Sequence, residues 1–208
     1  MSPLPVRVDP WGTLHAVPER GATFGNRGVL HDGDRHLVRG WQGRRWIICR
    51  TEFRERTREV LPAGGYTGLF FRDEATALAA GHRPCFECRR ADAQAFVEAA
   101  GSVGGTTGLD EALHRERLAD DARPRDGLRA GRRLHPALGG AGVEGAIAIT
   151  SDDGVAVFAD GVWRRWTFGA LGAAVEPGTL AGLLTPPTAI AALRAGYHPT
   201  DVPLIADP

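Results

Sequence analysis

The chain has 208 residues, of which 43% are hydrophobic, so it can build one large domain or two small ones with a real core. Its 25 basic residues balance its 25 acidic residues, and net charge therefore gives no argument for a polyanionic partner. Every basic residue is arginine. Guanidinium groups bind phosphate and carboxylate through two parallel hydrogen bonds, whereas the absence of lysine excludes Schiff-base chemistry.

The sequence carries no pattern typical of secretion or of a membrane. Residues 1–8 contain no apolar stretch of the kind a signal peptide needs, and no run approaches 18 apolar residues. Three cysteines are an odd number, which fits poorly with a secreted disulfide framework. In an intracellular chain, a close cysteine pair favours metal or redox chemistry. The sequence predicts a cytoplasmic protein without a membrane span.

The first third of the chain is predicted to be rich in strands, because short apolar runs alternate with Gly, Pro, Asn and Asp. Residues 25–28 are predicted to be a turn. Asp73 is a suitable N-cap for a helix over 74–80, which Gly81 ends. The predicted strands are residues 4–8, 13–17, 29–31, 36–38, 46–50 and 66–71.

Helices and loops are predicted for the middle of the chain. A helix over 89–100 is followed by a glycine-rich flexible break at 101–108. The spacing of Leu109 and Leu113 predicts a helix over 109–119 with these two side chains buried. Residues 120–142 are rich in Arg, Gly and Pro, and we expect a loop or a mobile segment there.

The last third of the chain returns to a strand pattern. Apolar runs at 146–150, 155–159 and 162–168 are separated by Asp-Gly turns, which predicts an antiparallel meander. A short helix is expected at 188–195. The fold class predicted for the whole chain is α+β: a β-rich N-terminal half with a zinc knuckle, central helices and a C-terminal antiparallel β-meander. The predicted segments are 1–100, 101–142 and 143–208.

The most informative stretch is the pair Cys85 and Cys88, separated by two residues. This spacing closes a small loop whose two sulfurs converge on one point, as a tetrahedral zinc ion requires. A redox pair is the alternative, but Glu87 between the thiols opposes thiolate formation. Cys49 is the only other cysteine and becomes the third predicted ligand. His31 is the predicted fourth ligand, and the remaining candidates are His36, His114 and His135.

Residues 80–88 read Ala-Gly-His-Arg-Pro-Cys-Phe-Glu-Cys. This stretch resembles the G-[FY]-R-P-C-x-x-C motif of the Ada-type metal-binding domain, and the similarity extends over about residues 73–90. In that family the pair is half of an all-cysteine zinc site in a DNA methyl-phosphotriester repair module, and similar modules are attached to nucleases. The resemblance implies that the chain has a zinc site and acts on DNA. The chain departs from the pattern at His82, and it offers only Cys49 in place of the upstream C-x3-C.

The whole chain is also similar to a family of bacterial proteins with four shared motifs. That resemblance is consistent with the other sequence observations, but it implies no activity. In this sequence the motifs are residues 25–32, 81–90, 110–117 and 184–187.

A catalytic alternative starts from the same cysteines. Pro-Cys-x-x-Cys is half of the zinc deaminase signature, whose other half is an upstream His-x-Glu. Here the only His-x-Glu, His114 to Glu116, follows the pair. Asp110 lies four residues before His114 and shares its predicted helix face, so Asp110, His114 and Glu116 are candidates for acid–base roles. Glu52 is a second candidate for the base. The same residues also suit a solvated helix face with ordinary ion pairs.

Arginines concentrate around the predicted metal site. Residues 35–58 carry eight arginines against two glutamates, with Trp41 and Trp46 between them. The leading interpretation is a zinc-binding protein that acts on or near nucleic acid. The alternative is a zinc-dependent hydrolase or deaminase acting on a small molecule or nucleoside. The expected partner is nucleic acid or a nucleotide-like small molecule. The arginines predicted to contact phosphate are Arg44, Arg45, Arg89 and Arg90.

Overall fold

A computed structural model describes residues 3–54, 59–102, 104–125, 129, 131–137 and 142–200. Over these residues the chain is α+β, which confirms the predicted class. A mixed six-stranded sheet occupies the N-terminal half, helices follow it, and a four-stranded antiparallel sheet lies in the C-terminal part. None of the helices in this described part is both long and apolar enough to cross a membrane.

The N-terminal sheet has the strand order β2-β1-β5-β3-β4-β6. Strand β1 pairs parallel with β5, and β4 pairs parallel with β6, while the other neighbours are antiparallel. The strands are β1 (Arg7–Val8), β2 (Leu14–His15), β3 (Thr23–Asn26), β4 (Ile47–Cys49), β5 (Leu69–Phe71) and β6 (Arg83–Pro84).

Strand β3 corrects the sequence prediction. A turn was expected at 25–28, but Gly25 and Asn26 belong to a strand between β4 and β5. Glycine is depleted in strands in general, which explains the wrong prediction. Here it is needed because a Cβ at position 25 would clash with the carbonyl oxygen of Ile47 on the neighbouring strand. The strands predicted at 29–31 and 36–38 reduce to a single bridge between His31 and Leu37.

Helix α1 (Glu74–Ala79) begins and ends as predicted. Asp73 Oδ1 accepts a hydrogen bond from the Thr76 backbone N–H at 2.7 Å, and this caps the first turn. Gly81 adopts a left-handed conformation with φ +86° just after the helix. A side chain at position 81 would also run into the aliphatic part of Arg117. The helix therefore delivers the chain directly into β6 and the cysteine pair.

Three longer helices complete the helical part of the described residues: α2 (Arg90–Ala99), α3 (Gly105–Arg117) and α4 (Pro187–Arg194). Helices α2 and α4 match their predictions closely. Helix α3 begins four residues earlier than predicted, so the expected break at 101–108 is helical in its second half. Leu109 and Leu113 are fully buried, as their spacing predicted. Helix α4 contacts both α2 and α3.

The C-terminal sheet confirms the predicted meander and adds one strand to it. Its strands are β7 (Ile147–Thr150), β8 (Val155–Ala159), β9 (Val162–Arg165) and β10 (Leu180–Leu183). They are arranged β10-β7-β8-β9, all antiparallel. Strand β10 was missed because Ala181 and Gly182 have low strand propensity, and its pairing is irregular at Gly182.

The predicted loop at 120–142 has no helix or strand in its described residues. Arg132 nevertheless bridges to Leu118, and His135 bridges to Leu183. Arg132 is buried. Part of this segment therefore belongs to the packed interior. Residues 126–128, 130 and 138–141 of the predicted loop lie outside the described part of the chain.

One hydrophobic core connects the predicted segments. Its largest cluster of buried side chains draws on both sheets and on the helices between them. The Trp166 indole N–H also donates to Thr76 Oγ1 at 2.9 Å, which ties the C-terminal sheet to α1. Representative members of the cluster are Val8, Phe71, Phe96, Leu113, Ala148 and Leu193.

Candidate metal centre

Cys49, Cys85 and Cys88 meet at one point of the structure. Their Sγ atoms all lie within 4.8 Å of one another, and all three side chains are buried and free of disulfides. A thiophilic divalent ion such as zinc is held by thiolates at about 2.3 Å, so three sulfurs this close surround a position that suits one ion. These are the three cysteines that the sequence predicted as ligands.

The register of two strands brings the distant cysteine to the pair. Strands β4 and β6 run parallel, with Ile48 opposite Pro84. Cys49 and Cys85 are the next residue on each strand, so they emerge at the same end of the sheet. The Cys85 backbone N–H donates to the Ile48 carbonyl at 2.9 Å and holds this alignment. A tight turn then carries the chain to Cys88 immediately before α2.

Hydrogen bonds to sulfur favour the deprotonated form of this site. The Glu87 backbone N–H lies 3.4 Å from Cys85 Sγ, and that of Arg50 lies 3.4 Å from Cys88 Sγ. Contacts with the thiols of Cys49 and then Cys88 lower the pKa of Cys85 strongly, and the backbone N–H groups of Cys88 and Glu87 add to this. The same contacts with Cys85 and Cys88 raise the pKa of Cys49. The contact with Cys49 lowers the pKa of Cys88, but Cys85 and burial outweigh it and raise that pKa as well, so these contacts favour a thiolate at Cys85.

Apolar side chains surround the cysteines. Phe24 belongs to the same buried cluster, and Phe53 and Phe70 pack against it. The three sulfurs therefore lie among hydrocarbon side chains as well as backbone N–H groups.

His31 is not a member of this group. Its Nδ1 lies 2.6 Å from Thr67 Oγ1, and its Nε2 lies 3.0 Å from the carbonyl oxygen of Pro62. Both ring nitrogens thus have partners in the fold. Among the residues that the structure describes, no histidine, aspartate or glutamate joins the three cysteines, so the alternatives His36, His114 and His135 are not in the group either.

Asp110 is part of an ion pair that stabilises the fold. It accepts two hydrogen bonds from Arg83, at 2.9 Å from Nε and 2.8 Å from Nη2. This bidentate pair joins α3 to β6, and both side chains are largely buried. A carboxylate held in this way is not free to orient His114, as the sequence had suggested.

His114 and Glu116 also have separate partners. Arg117 Nη2 lies 3.0 Å from His114 Nδ1. The Glu116 carboxylate accepts hydrogen bonds from the backbone N–H and the hydroxyl of Thr188, at 2.9 and 2.7 Å, in the first turn of α4. The three predicted acid–base residues are therefore distributed over three structural contacts, and the described structure does not gather them into one site.

Two histidines of this region are expected to make stability depend on pH. Burial first, and then neighbouring arginines, lower the pKa of His82 well below its ordinary value. Burial, followed by Arg117 and Arg44, lowers the pKa of His114 to about 4. The unfolded chain takes up these protons near pH 6.5, the ordinary histidine value, whereas the folded chain does not. The free energy of unfolding should therefore decrease as pH falls from about 6.5 towards 4.

Urea denaturation at a series of pH values measures this effect. The variant His114→Gln has no imidazole to protonate and should lose less stability over the same range. Stability curves of the parent and His114→Gln that stay parallel down to pH 4 would contradict the assignment.

A groove opens beside the cysteines. One cleft of about 760 Å³ includes Cys49 and Cys85 in its wall. A second cleft of about 640 Å³ shares five lining residues with it, so the two form one continuous depression, here called the cysteine groove. The lining of the cysteine groove includes Arg44, Arg45, Tyr66, Arg83, Phe86 and Arg90.

Three of the four arginines predicted to contact phosphate lie in the cysteine groove. Arg45 and Arg90 are exposed, and neither side chain makes a hydrogen bond or ion pair to another described residue. Arg44 is exposed and pairs with Glu111 at 3.2 Å. Tyr66, which the sequence did not single out, is 56% exposed in the same groove. The sequence signal that could have indicated the exposure of Tyr66 is its position directly after the predicted turn at Gly64-Gly65.

Arg89 does not face solvent. Its Nη2 donates to Glu74 Oε2 at 2.8 Å, and its Nε donates to Asp92 Oδ2 at 2.8 Å. Glu74 is fully buried and also accepts a hydrogen bond from the Tyr197 hydroxyl at 2.6 Å. The predicted phosphate contact of Arg89 is therefore replaced by a buried ion pair that joins α1, α2 and the segment after α4.

The tryptophans expected to stack on bases are inside the protein. Trp41 and Trp46 are buried, and their rings lie 6.3 Å apart. Arg54 is described and lies near Phe53, whereas Arg56 and Arg58 of the predicted basic stretch lie outside the described residues.

Comparison of the chain with known protein families, with curated proteins and with solved structures gives no match. The resemblance of residues 73–90 to the Ada-type domain therefore stays an expectation from the sequence. What the structure adds is the three-cysteine cluster and the basic groove beside it.

Proposed function

We propose that this protein binds zinc through Cys49, Cys85 and Cys88 and holds single-stranded nucleic acid in the cysteine groove. The observation that carries the proposal is that Cys49 and Cys85 line the same groove as the exposed Arg45 and Arg90. A ligand bound by these arginines would lie beside the metal.

The donor set supports zinc. Soft thiolate sulfur selects zinc, copper(I) or iron over magnesium and calcium, and zinc is the commonest ion held by a Cys-x-x-Cys loop in a structural site. The three buried cysteines, with backbone N–H groups aimed at two of the sulfurs, match this chemistry. Cys49 on β4 and Cys85 and Cys88 in the turn before α2 would hold the ion, which would offset two of the three thiolate charges.

The groove supports an anionic, aromatic ligand. Exposed guanidinium groups bind phosphate, and an exposed tyrosine offers a flat surface on which an unpaired base can stack. Arg45, Arg90 and Tyr66 provide these groups within one depression. Arg83 and Asp110 neutralise each other, and Arg44 pairs with Glu111, so the positive charge of the groove comes from Arg45 and Arg90, with Glu87 as an acidic residue in the same wall.

The double variant Arg45→Gln/Arg90→Gln tests the groove. Each neutralised phosphate contact contributes about 0.7 to the salt slope of single-strand binding, so the double variant should lower that slope by about 1.4. Affinity for a fluorescent oligonucleotide in 50 mM salt should fall about tenfold. Fluorescence anisotropy over a salt series measures both quantities.

The control variant is Arg194→Gln, which removes an exposed arginine on α4, outside the groove. It should leave the affinity within twofold of the parent. The proposed nucleic-acid role would be refuted if the parent did not bind the oligonucleotide, or if the double variant bound like Arg194→Gln.

A zinc-dependent hydrolase or deaminase is the second candidate, and two observations favour it. The group has three protein ligands among the described residues, as catalytic zinc sites do. A smaller cleft of about 340 Å³ is lined by Cys49 and by the exposed carboxylate of Glu52. Glu52 is then the base, since Glu116 is bonded to Thr188. This candidate predicts nucleoside hydrolysis or deamination by the zinc-loaded chain that Glu52→Gln abolishes at unchanged zinc content.

A further inference from the structure

Four basic side chains are buried together away from the cysteine groove. Arg27, Arg117, Arg132 and His82 are each at most 7% exposed. None of them lines the groove. They come from separate parts of the chain: the end of β3, the end of α3, the segment after α3 and the turn after α1. We refer to these four residues as the arginine cluster.

Trp46 lies against three members of the arginine cluster. The guanidinium carbon of Arg117 lies 3.8 Å from its ring centroid, and that of Arg27 lies 5.0 Å away. The ring of His82 is 5.1 Å from Trp46. Stacking on an aromatic face offsets part of the cost of burying a cation. It also holds the two guanidinium planes in fixed orientations.

Backbone carbonyls fix one end of each arginine. Arg27 Nη2 donates at 2.7 Å, Arg117 Nη1 and Nη2 donate at 2.8 and 2.6 Å, and Arg132 Nη2 donates at 2.6 and 2.9 Å. Arg27 donates to the carbonyl of Gly12. Arg117 donates to the carbonyls of Gly81 and Arg44, and Arg132 donates to those of Ala79 and Leu184.

The other end of each side chain has no partner among the described residues. Seven buried nitrogens are unpaired: Nε and Nη1 of Arg27, Nε and Nη1 of Arg132, Nε of Arg117, and both ring nitrogens of His82. Buried donors are almost always hydrogen-bonded in folded proteins, so a set of this size in one place indicates a missing acceptor.

The arginine cluster also lacks a counter-charge. None of its three arginines forms an ion pair with a described acidic residue. Asp9 and Asp110 are the carboxylates that attract them, but Asp9 is bonded to His15 and Asp110 is bonded to Arg83.

Arg27 and Arg132 still carry charge at neutral pH, while burial and then the neighbouring Arg132 lower the pKa of Arg117 well below its ordinary value. Burial lowers the pKa of Arg27 to about 9, and burial lowers the pKa of Arg132 to about 10. Both values stay above 7, and arginine is not deprotonated in proteins under ordinary conditions. Buried like charges that neighbour one another are unfavourable unless an anion accompanies them.

We propose that the arginine cluster is an internal binding site for a multivalent oxyanion of the phosphate class, as a free ion or as the phosphate group of an ester. Such an anion supplies both the missing acceptors and the missing charge, because several oxygens accept from guanidinium forks at once. His82, held neutral, donates one ring N–H to it. The site shares no residue with the proposed nucleic-acid groove and does not depend on it.

The first test uses the purified full chain. Acid denaturation should release about one phosphate or sulfate per chain, measured by ion chromatography, or one organic phosphate ester, identified by mass spectrometry. After exhaustive dialysis, inorganic phosphate should raise the melting temperature by roughly 5 °C over chloride at equal ionic strength. Either result supports the site, and the released species distinguishes a free ion from an ester.

Variants locate the site. Arg132→Met should abolish the phosphate-dependent rise, whereas Arg133→Met, which removes the neighbouring arginine that pairs with Asp120, should keep it. The groove variant Arg45→Gln/Arg90→Gln should also keep the rise, so failure of the nucleic-acid proposal and failure of this one are distinguishable.

Two outcomes overturn the inference. One is a parent protein that releases no multivalent oxyanion and melts at the same temperature in phosphate and in chloride. This measurement needs no variant and decides the question even if Arg132→Met does not fold. The other is an Arg132→Met variant that keeps the full phosphate-dependent rise.

Discussion

Cys85→Ser is expected to lose its zinc and to melt at least about 10 °C below the parent, since a structural metal contributes on the order of 4 kcal/mol or more. Cys85 directly follows β6, which pairs with the strand that carries Cys49, and it begins the turn that leads to Cys88. Serine has almost the same shape but is a poor zinc ligand. Elemental analysis and a thermal melt of the two proteins measure the effect.

Chelation supplies the control for this prediction. A strong chelator should lower the melting temperature of the parent to that of Cys85→Ser and should leave the variant unchanged. A Cys85→Ser protein that retains one zinc per chain, or a parent that is insensitive to the chelator, would show that the cysteines are only a buried apolar cluster.

Glu74→Gln is expected to cost about 3–5 kcal/mol in the free energy of unfolding, because it leaves a buried arginine without its main counter-charge. Glu74 is fully buried and accepts hydrogen bonds from Arg89 at 2.8 Å and from Tyr197 at 2.6 Å. It also accepts two from Thr200, each at 2.7 Å. Only Asp92, a third exposed, would remain as a counter-charge for Arg89. Urea denaturation monitored by tryptophan fluorescence measures the loss.

A matched variant separates charge from hydrogen bonding. Tyr197→Phe removes one neutral donor to the same carboxylate and should cost about 2 kcal/mol. In the Glu74→Gln background the same change should cost less, because the two residues share one interaction. If the free energy of unfolding of Glu74→Gln lay within about 0.5 kcal/mol of the parent value, Glu74 would contribute no more than an ordinary surface residue. That result would contradict the prediction.

The cysteines of the candidate metal centre could be predicted from the sequence because the signal of the Cys85 and Cys88 pair is local. Cys85 and Cys88 have the spacing of a metal-binding turn, and Cys49 was the only remaining thiol. The pairing that brings Cys49 to them could not be predicted. Strand β6 has two residues, one of them proline, and nothing in Arg83-Pro84 indicates a parallel partner.

The predicted fourth ligand and the predicted acid–base residues do not come together in the described structure, and the reason is different. A histidine in a sequence carries no sign of what its ring will contact after folding. His31 bonds Thr67, which lies 36 residues away. Glu116 bonds Thr188, which lies 72 residues away. Such pairs depend on how helices and loops pack, and helical spacing within α3 contains no information about them.

The four arginines predicted to contact phosphate differ in the same way, because local sequence indicates the position of three of them but not of the fourth. Arg44, Arg45 and Arg90 lie on the groove, as a local excess of positive charge suggested. Arg89 differs because Glu74, 15 residues earlier, is inside the protein and requires a cation. Glu74 had the appearance of an ordinary acidic residue in the first turn of a helix. Only the packing of α1 between the two sheets makes it a buried partner.

The three-sulfur zinc site is tested most directly by metal content and X-ray absorption on freshly purified full-length protein. The expected result is about one zinc per chain, with three sulfur neighbours at about 2.3 Å and a lighter atom in the remaining position. A protein free of transition metal, or a zinc without sulfur in its first coordination sphere, would contradict the account.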